Sequence, residues 1–219
     1  SMFNRKKIIK AIASAVAISC AIVIFGGCNN ETSKLNTKKS DSKIKVVVSF
    51  NAMIEFANAI GKNKIDIETI IPDGTEPHDF EPTVKDLKTL STANVFVYSG
   101  FGMESWKDKV ISSVNNKNLI VTDASKGVTP IKNTNNDEIK EHGEYDPHIW
   151  ISLKDAETQS KNIKDALIKA DPSNKDFYEK NYKDFSKQLD NLYNDYNKSF
   201  KTIKNKNFVT GHAAFAYLC

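Results

Sequence analysis

The sequence predicts an α/β fold in which two lobes of parallel β-sheet, flanked by helices, are joined by one long helix. Short apolar runs alternate with segments of helical periodicity between residues 44 and 171, a pattern typical of strands covered by helices on both faces. One continuous apolar stripe follows over residues 172–205. Another apolar run begins at residue 208, so we expect a second lobe that is incomplete within these 219 residues.

The first lobe, residues 44–171, is predicted to contain four short strands separated by helices. Asn51 caps the first helix and Gly61 ends it, while Thr83 caps the second helix with Asp86 in its first turn. A third helix is predicted over residues 104–114. The strands are rich in β-branched and aromatic residues, and they cover residues 44–48, 65–71, 95–98 and 119–121.

The second half of the lobe contains a long polar loop and a helix that runs from Ser152 to Ala170. After a break at residues 171–173, apolar side chains recur every three or four residues, at Tyr178, Tyr182, Phe185, Leu189, Leu192, Tyr196, Phe200 and Ile203. This spacing predicts one helical stripe, and about 30 residues of helix span roughly 45 Å. A helix of that length favours a connection between two lobes. A coiled coil is the alternative, although the pattern covers only about four heptads.

The N-terminal region has the features of an export signal. A basic run precedes the apolar stretch 8–25, which predicts a signal peptide over residues 1–27. A transmembrane anchor is the alternative, since the stretch approaches the minimum length of a span. Residues 25–28 resemble a bacterial lipobox, so we expect Cys28 to be lipidated. Residues 28–43 would then form a flexible tether that holds the exported protein at the extracytoplasmic face of the membrane.

Charge and cysteine content exclude several classes of function. The net charge is +4, with 31 Lys and Arg against 27 Asp and Glu, but four of the basic residues lie within residues 1–27. The remainder is neutral, which argues against a nucleic-acid-binding protein. Three cysteines, two of them within the first 28 residues, exclude a disulfide framework and a cysteine-rich zinc module.

Three of the four histidines follow predicted strands. His78 comes after the second strand, His148 lies beyond the fourth, and His212 follows the apolar run 208–210, a predicted strand. Because the carboxyl ends of parallel strands face a common crevice, these imidazoles can converge on a cation such as Zn²⁺. Each histidine alone is also typical of a surface or capping residue. No HExxH motif is present, so spacing leaves both interpretations open.

The residues beside these histidines suit a metal site. Pro77 and Pro147 directly precede two of them and would stiffen their loops. Four acidic residues flank them and are candidates to orient imidazole N–H groups, with a solvated loop face as the alternative: Glu76, Asp79, Glu81 and Asp146.

Three motifs in this order resemble those of the metal-binding lipoproteins of zinc and manganese ABC importers. They are residues 71–82 (IPDGTEPHDFEP), 146–150 (DPHIW) and 211–215 (GHAAF), and the resemblance extends over residues 44–219. It implies two Rossmann-like lobes joined by a rigid helix, residues 172–205, with the metal bound between the lobes. Residues 206–219 would begin the second lobe.

The resemblance also implies a ligand set. His78, His148 and His212 correspond to metal ligands, and histidine rather than glutamate at the third position favours Zn²⁺, with Mn²⁺ as the alternative. The family's fourth ligand is a carboxylate of the second lobe, so this chain resembles a member that ends about one third early. Zinc members often carry a histidine-rich loop, but residues 133–145 are short and acidic with only His142. We expect His142 to be solvent-exposed, with an optional weak ligand or metal-capture residue as the other interpretation.

The function implied is binding rather than catalysis. A monomeric, lipid-anchored receptor would capture Zn²⁺ and deliver it to an ABC permease. A surface adhesin or structural lipoprotein of the same family is one alternative. A zinc hydrolase is another, since three histidines and an open position suit catalysis, but the sequence offers no evident general base. A fragment without independent activity is the third.

Overall fold

A four-stranded parallel sheet lies at the centre of the protein in the computed structural model, which describes residues 42–205, 207, 209, 210 and 213–218. The strands are β1 (Ile44–Val48), β2 (Ile65–Thr69), β3 (Val95–Tyr98) and β4 (Ile120–Asp123). Their order in the sheet is β2-β1-β3-β4. Val46 of β1 pairs with Ile67 on one side and with Val95 on the other. The predicted parallel α/β sheet is confirmed.

The two central strands are the most deeply buried part of the sheet. Residues 46–48 of β1 and 95–97 of β3 are inaccessible to solvent, because helices cover both faces. The chain order reverses between β1 and β3, and in open α/β sheets the binding crevice lies at that point, outside the carboxyl ends of the strands.

Six α-helices surround the sheet within the described residues. They are α1 (Asn51–Gly61), α2 (Val84–Ser91), α3 (Lys107–Ser113), α4 (Asn136–His142), α5 (Leu153–Ala170) and α6 (Lys175–Thr202). Single 3-10 turns cover Lys62–Lys64, Ile149–Ile151, Pro172–Asn174 and Ala216–Leu218.

Two predicted helix starts are confirmed. Thr83 and Asp86 form a reciprocal capping box at the start of α2. The Ser152 hydroxyl accepts a hydrogen bond from the backbone N–H of Asp155 at the start of α5, at 3.2 Å. Local capping residues therefore set these two boundaries.

Other boundaries differ from the prediction for tertiary reasons. Asn51 does not cap α1; it is the first helical residue, and its side-chain amide donates to the carboxylate of Asp73. The third helix begins at Lys107 rather than at residue 104, because the Glu104 carboxylate accepts hydrogen bonds at the ends of β1 and β3. The predicted second strand ends at Thr69 instead of residue 71.

The long helix α6 is present, with 28 residues. It packs against α1 and α5 and buries Tyr178, Asn181 and Leu189. Further along, Leu192, Tyr196 and Phe200 are about half exposed. The domain boundaries, and the role of this helix in joining two lobes, stay predictions.

Some predictions fall at the edge of the described residues or beyond them. Val209 is fully exposed and neither it nor Thr210 is in a strand, so the strand predicted at 208–210 is wrong for these two residues. Isolated β-structure is only marginally stable in water, because strands need partners in a sheet. The signal peptide, Cys28, most of the tether, Phe208 and His212 lie outside the described residues. In the described part, no helix is both long and apolar enough to cross a membrane.

Candidate metal centre

Three histidines from separate segments converge into one cluster. His78, His142 and His148 each place a ring nitrogen within 4.8 Å of the others. The ring centroids are 4.2 Å apart for His78 and His142, 5.2 Å for His142 and His148, and 6.2 Å for His78 and His148. Two of the predicted site residues are therefore brought together, and the sequence prediction of an exposed His142 is wrong.

His78 lies in the loop that follows β2. Two backbone turns shape this loop, since the N–H of Thr75 donates to the Pro72 carbonyl and that of Asp79 to the Glu76 carbonyl, each at 3.2 Å. The His78 side chain is only 10% exposed. The two turns thus direct the one histidine of this loop into the protein.

His148 is held by an aspartate two residues earlier. Asp146 Oδ1 accepts a hydrogen bond from the backbone N–H of His148 at 2.9 Å and lies 2.7 Å from the ring Nδ1. A carboxylate here keeps the proton on Nδ1 and leaves the Nε2 lone pair for a metal. Trp150 packs against the same ring, with centroids 5.5 Å apart. The predicted orienting role of Asp146 is confirmed by this contact, whereas Asp79 and Glu81 are exposed.

His142 is buried because the segment around it folds back on itself. Residues 131–133 run antiparallel to residues 144–146, with hydrogen bonds from Asn133 N–H to the Glu144 carbonyl and from Asp146 N–H to the Ile131 carbonyl, both 2.9 Å. This pairing closes a loop that contains α4. The last residue of α4 is His142, whose side chain is only 1% exposed.

The helix that carries His142 had signals in the sequence that the prediction of a polar loop missed. The Asn135 side chain accepts a hydrogen bond from Asp137 N–H at 2.8 Å, and Asp137 and Glu138 occupy the first turn. Gly143, with φ of 90°, ends the helix. Read together, these start and stop residues would have predicted α4 and placed Glu138 and His142 on one face.

The turn after β3 packs closely against the end of α4. Gly102 has φ of +83°, and a Cβ added there would lie 2.5 Å from the backbone oxygen of His142. Buried Glu104 secures the turn, because its carboxylate accepts hydrogen bonds from the Ser49 hydroxyl at 2.5 Å and from the N–H groups of Ser99 and Gly100 at 2.7 and 3.1 Å. Burial raises the pKa of Glu104 above its usual value, while these three donors act in the opposite direction.

The electrostatic environment of the cluster is mixed. Burial lowers the pKa of His78, and the neighbouring His142 lowers it further, while Glu141 and Glu76 oppose that shift. Carboxylate oxygens of Glu76 and Glu141 each lie 3.7 Å from His78 Nε2. Burial favours the neutral imidazole, which is the form that binds a metal ion.

The geometry of the cluster is close to that of a zinc site. With Zn–N near 2.0–2.1 Å, the donor atoms of a tetrahedral site are about 3.3–3.5 Å apart. The ring nitrogens of the three histidines lie within 4.8 Å of one another. Small ring rotations that shift these nitrogens by about 1 Å would bring them to the separation of ligands on one zinc ion.

The family is decided by a comparison with known sequences. A family model described as ZnuA, zinc-uptake complex component A, periplasmic, matches residues 46–219. The chain belongs to this family. The resemblance inferred from the three motifs is thereby confirmed.

The names of individual relatives refer either to zinc or to manganese. The high-affinity zinc uptake system protein ZnuA of Bacillus subtilis is 34% identical over 209 residues, which is 92% of this chain and 65% of that protein. The manganese ABC transporter substrate-binding lipoprotein PsaA of Streptococcus pneumoniae is 34% identical over 219 residues, 95% of this chain and 68% of that protein. The alternatives of an adhesin and a hydrolase gain no support from these relatives.

A solved zinc-bound relative has the same fold. The Zn(II)-bound ZnuA-like domain of Streptococcus pneumoniae AdcA superposes with a TM-score of 0.71 at 31% identity, covering 81% of this chain and 63% of that one. This chain spans less than two thirds of the length of that domain and of the B. subtilis zinc relative.

Proposed function

We propose that this member of the ZnuA family captures Zn²⁺ outside the cytoplasm through His78, His142 and His148. One observation carries the proposal: three imidazoles from three separate segments place their nitrogens within 4.8 Å of one another. Neutral imidazole is a preferred ligand of Zn²⁺. His212 remains a predicted further ligand outside the described residues.

The surroundings of the cluster support binding of a metal cargo. Asp146 orients His148 through its Nδ1, which is the arrangement found behind most metal-binding histidines. The partial burial of His78 keeps its ring neutral at physiological pH. The function is binding and release, without a chemical step on a substrate.

The cellular part of the proposal extends what the family shows. The bound Zn²⁺ is delivered to the membrane permease of an ABC importer, and lipidation of Cys28 holds the protein at the membrane. Zn²⁺ is favoured over Mn²⁺ because three imidazoles are softer ligands than the carboxylates and water that Mn²⁺ prefers.

The ligand role of His78 and His148 is tested by single substitutions. His78→Ala and His148→Ala each remove one of three ligands, so we expect zinc affinity to fall by at least about 100-fold. The measurement is a competition titration of the purified protein against a chromophoric chelator.

Lys140→Ala is the matched control, since this residue is exposed on α4 beside the cluster and its loss should leave zinc affinity unchanged. Unchanged affinity in both histidine variants would place the metal site elsewhere in the chain.

A further inference from the structure

We propose that Tyr217 is a positioning residue for the metal centre, because its hydroxyl holds the base of the loop that carries His142 and leads to His148. The inference rests on the proposed function, since it concerns the same cluster of histidines. Tyr217 lies in the 3-10 turn Ala216–Leu218, five residues after His212 in the sequence. A side chain from the C-terminal segment therefore reaches the part of the chain that holds two of the clustered imidazoles.

The Tyr217 hydroxyl bridges the two ends of this loop. Its oxygen accepts a hydrogen bond from the Ile131 backbone N–H at 2.9 Å, and its O–H donates to the Asp146 carbonyl at 2.8 Å. The Asp146 N–H also donates directly to the Ile131 carbonyl at 2.9 Å. Opposite residues of an antiparallel pair can exchange two such bonds, and here the hydroxyl is inserted into the second one. The bridge thus completes the pairing that closes the loop.

The ring of Tyr217 adds apolar packing at the same place. The residue is only 9% exposed and belongs to a small apolar cluster with Val128, Ile149 and Phe101. Ile149 directly follows His148 in the chain, and Phe101 belongs to the turn that packs against the end of α4. The cluster therefore ties the C-terminal segment to two of the elements that place the imidazoles.

The bridge acts on His148 through Asp146. The Asp146 carbonyl accepts from Tyr217, while Asp146 Oδ1 lies 2.7 Å from His148 Nδ1 and accepts from the His148 backbone N–H at 2.9 Å. Asp146 is thus held at its backbone by Tyr217 and orients the His148 ring with its side chain. Without the hydroxyl, the Asp146 backbone is free to shift, and the orientation of the imidazole is less well defined. Loss of groups that orient metal-binding histidines typically costs about 10- to 100-fold in metal affinity.

Tyr217→Phe tests the role of the hydroxyl, because it removes this group and keeps the ring. We expect zinc affinity to fall by about tenfold in the competition titration, since the bridge acts through Asp146 rather than on the imidazole itself. The visible absorption of bound Co²⁺ should also change, because it reports the geometry of the ligands. A residue that only stabilised the fold would leave that spectrum unaltered.

Tyr178→Phe is the matched control. Tyr178 is fully buried, and its hydroxyl donates to Asp171 Oδ2 at 2.9 Å, where α5 is followed by α6. This variant also loses one hydrogen-bonded tyrosine hydroxyl and should lower the midpoint of urea unfolding. It should keep the wild-type zinc affinity and Co²⁺ spectrum. Equal losses of zinc affinity in the two variants would reveal a general effect of stability and would refute the positioning role.

Hydrogen exchange provides a second test that needs no variant. Linkage is reciprocal, so a bridge that favours zinc binding must itself be strengthened by zinc. In the wild-type protein we expect saturating Zn²⁺ to slow exchange of the Ile131 amide by about tenfold, more than it slows exchange of the Asp171 amide. The Asp171 N–H donates to the Leu167 carbonyl at 2.9 Å and serves as the reference. Equal slowing of the two amides would contradict the inference.

The outcomes separate this inference from the proposed function. If His148→Ala abolishes zinc binding while Tyr217→Phe keeps the wild-type affinity and spectrum, the positioning role is refuted and the histidine site stands. If His148→Ala has no effect either, both are refuted. Should circular dichroism show that Tyr217→Phe is unfolded, exchange of the Ile131 amide in the wild-type protein decides.

Discussion

At the scale of single residues, the imidazoles of the cluster are held in different ways. His148 is fixed through its Nδ1 by Asp146 at 2.7 Å. His78 is buried in its loop, with carboxylate oxygens of Glu76 and Glu141 each 3.7 Å from its Nε2. The carboxylate of Asp146 thus pre-orients the His148 ring, whereas the fold of the β2 loop places His78.

The burial of His78 leads to an expected pH dependence of zinc binding. Burial and the neighbouring His142 lower the pKa of His78, so this ring stays neutral to a lower pH than an unperturbed histidine does. Protons compete with zinc once the pH is low enough to protonate the imidazoles. We expect zinc affinity to be constant near neutral pH and to fall in acid as the rings become protonated.

The measurement is the competition titration repeated at several pH values with a chelator whose own protonation is known. Affinity at about pH 5 that equals the affinity at neutral pH would contradict the histidine site, because imidazole ligands must lose their protons to bind.

At the scale of elements, the turn after β3 determines where α4 can lie. Gly100, Phe101 and Gly102 all have positive φ, a backbone path that favours glycine. Glu104 ties this turn to the ends of β1 and β3. The sheet therefore positions His142 through this turn, although the turn itself contains none of the three clustered histidines.

Gly102→Ala should displace α4 and weaken zinc binding. The new Cβ would meet the His142 backbone oxygen at 2.5 Å, so the end of α4 must shift. We expect about a tenfold loss of zinc affinity together with about 1 kcal/mol of lost stability from the strained φ. Titration and urea unfolding measure the two effects.

Gly127→Ala is the matched control for backbone strain. Its φ is +89°, but its nearest neighbour, Thr158 Cγ2, is at an ordinary contact distance of 3.8 Å. It should lose similar stability and keep its zinc affinity. Equal zinc affinity in the two variants would show that contact between the turn and α4 does not position His142.

At the scale of the whole molecule, α6 stabilises the side of the sheet away from the cluster. Asn181 of α6 is buried, and its Nδ2 donates to the Ile60 carbonyl at 2.8 Å. Ile60 lies near the end of α1, shortly before β2 begins. This contact is thus at the amino edge of the parallel sheet, whereas the histidine of the β2 loop follows the carboxyl edge.

Asn181→Ala should therefore separate stability from binding. Removing the amide leaves the Ile60 carbonyl without this buried donor, which costs about 1–3 kcal/mol. We expect a lower midpoint of urea unfolding and an unchanged zinc affinity. Lys187→Ala, at an exposed position of the same helix, should change neither the unfolding midpoint nor the zinc affinity. An unaltered midpoint for Asn181→Ala would show that the hydrogen bond between α6 and α1 does not stabilise the fold.

Most of the regular structure could be predicted from local sequence. The strand at 44–48 and the helix that ends at Ala170 depend on periodicity and on capping residues a few positions away. The same holds for the long helix after residue 174. His78 and His148 could be proposed as a pair because each follows a strand of one parallel sheet, and such strand ends share an edge.

The place of His142 was decided only by the tertiary structure. Its burial depends on pairing between residues 131–133 and 144–146 and on the approach of Gly102 to the His142 backbone. The first contact joins the two ends of a loop and the second joins residues 40 positions apart, so no local pattern of helix or strand reports them. The sequence by itself determined which side chains were available as ligands; long-range packing determined which of them meet, because burial and distance are properties of the folded chain.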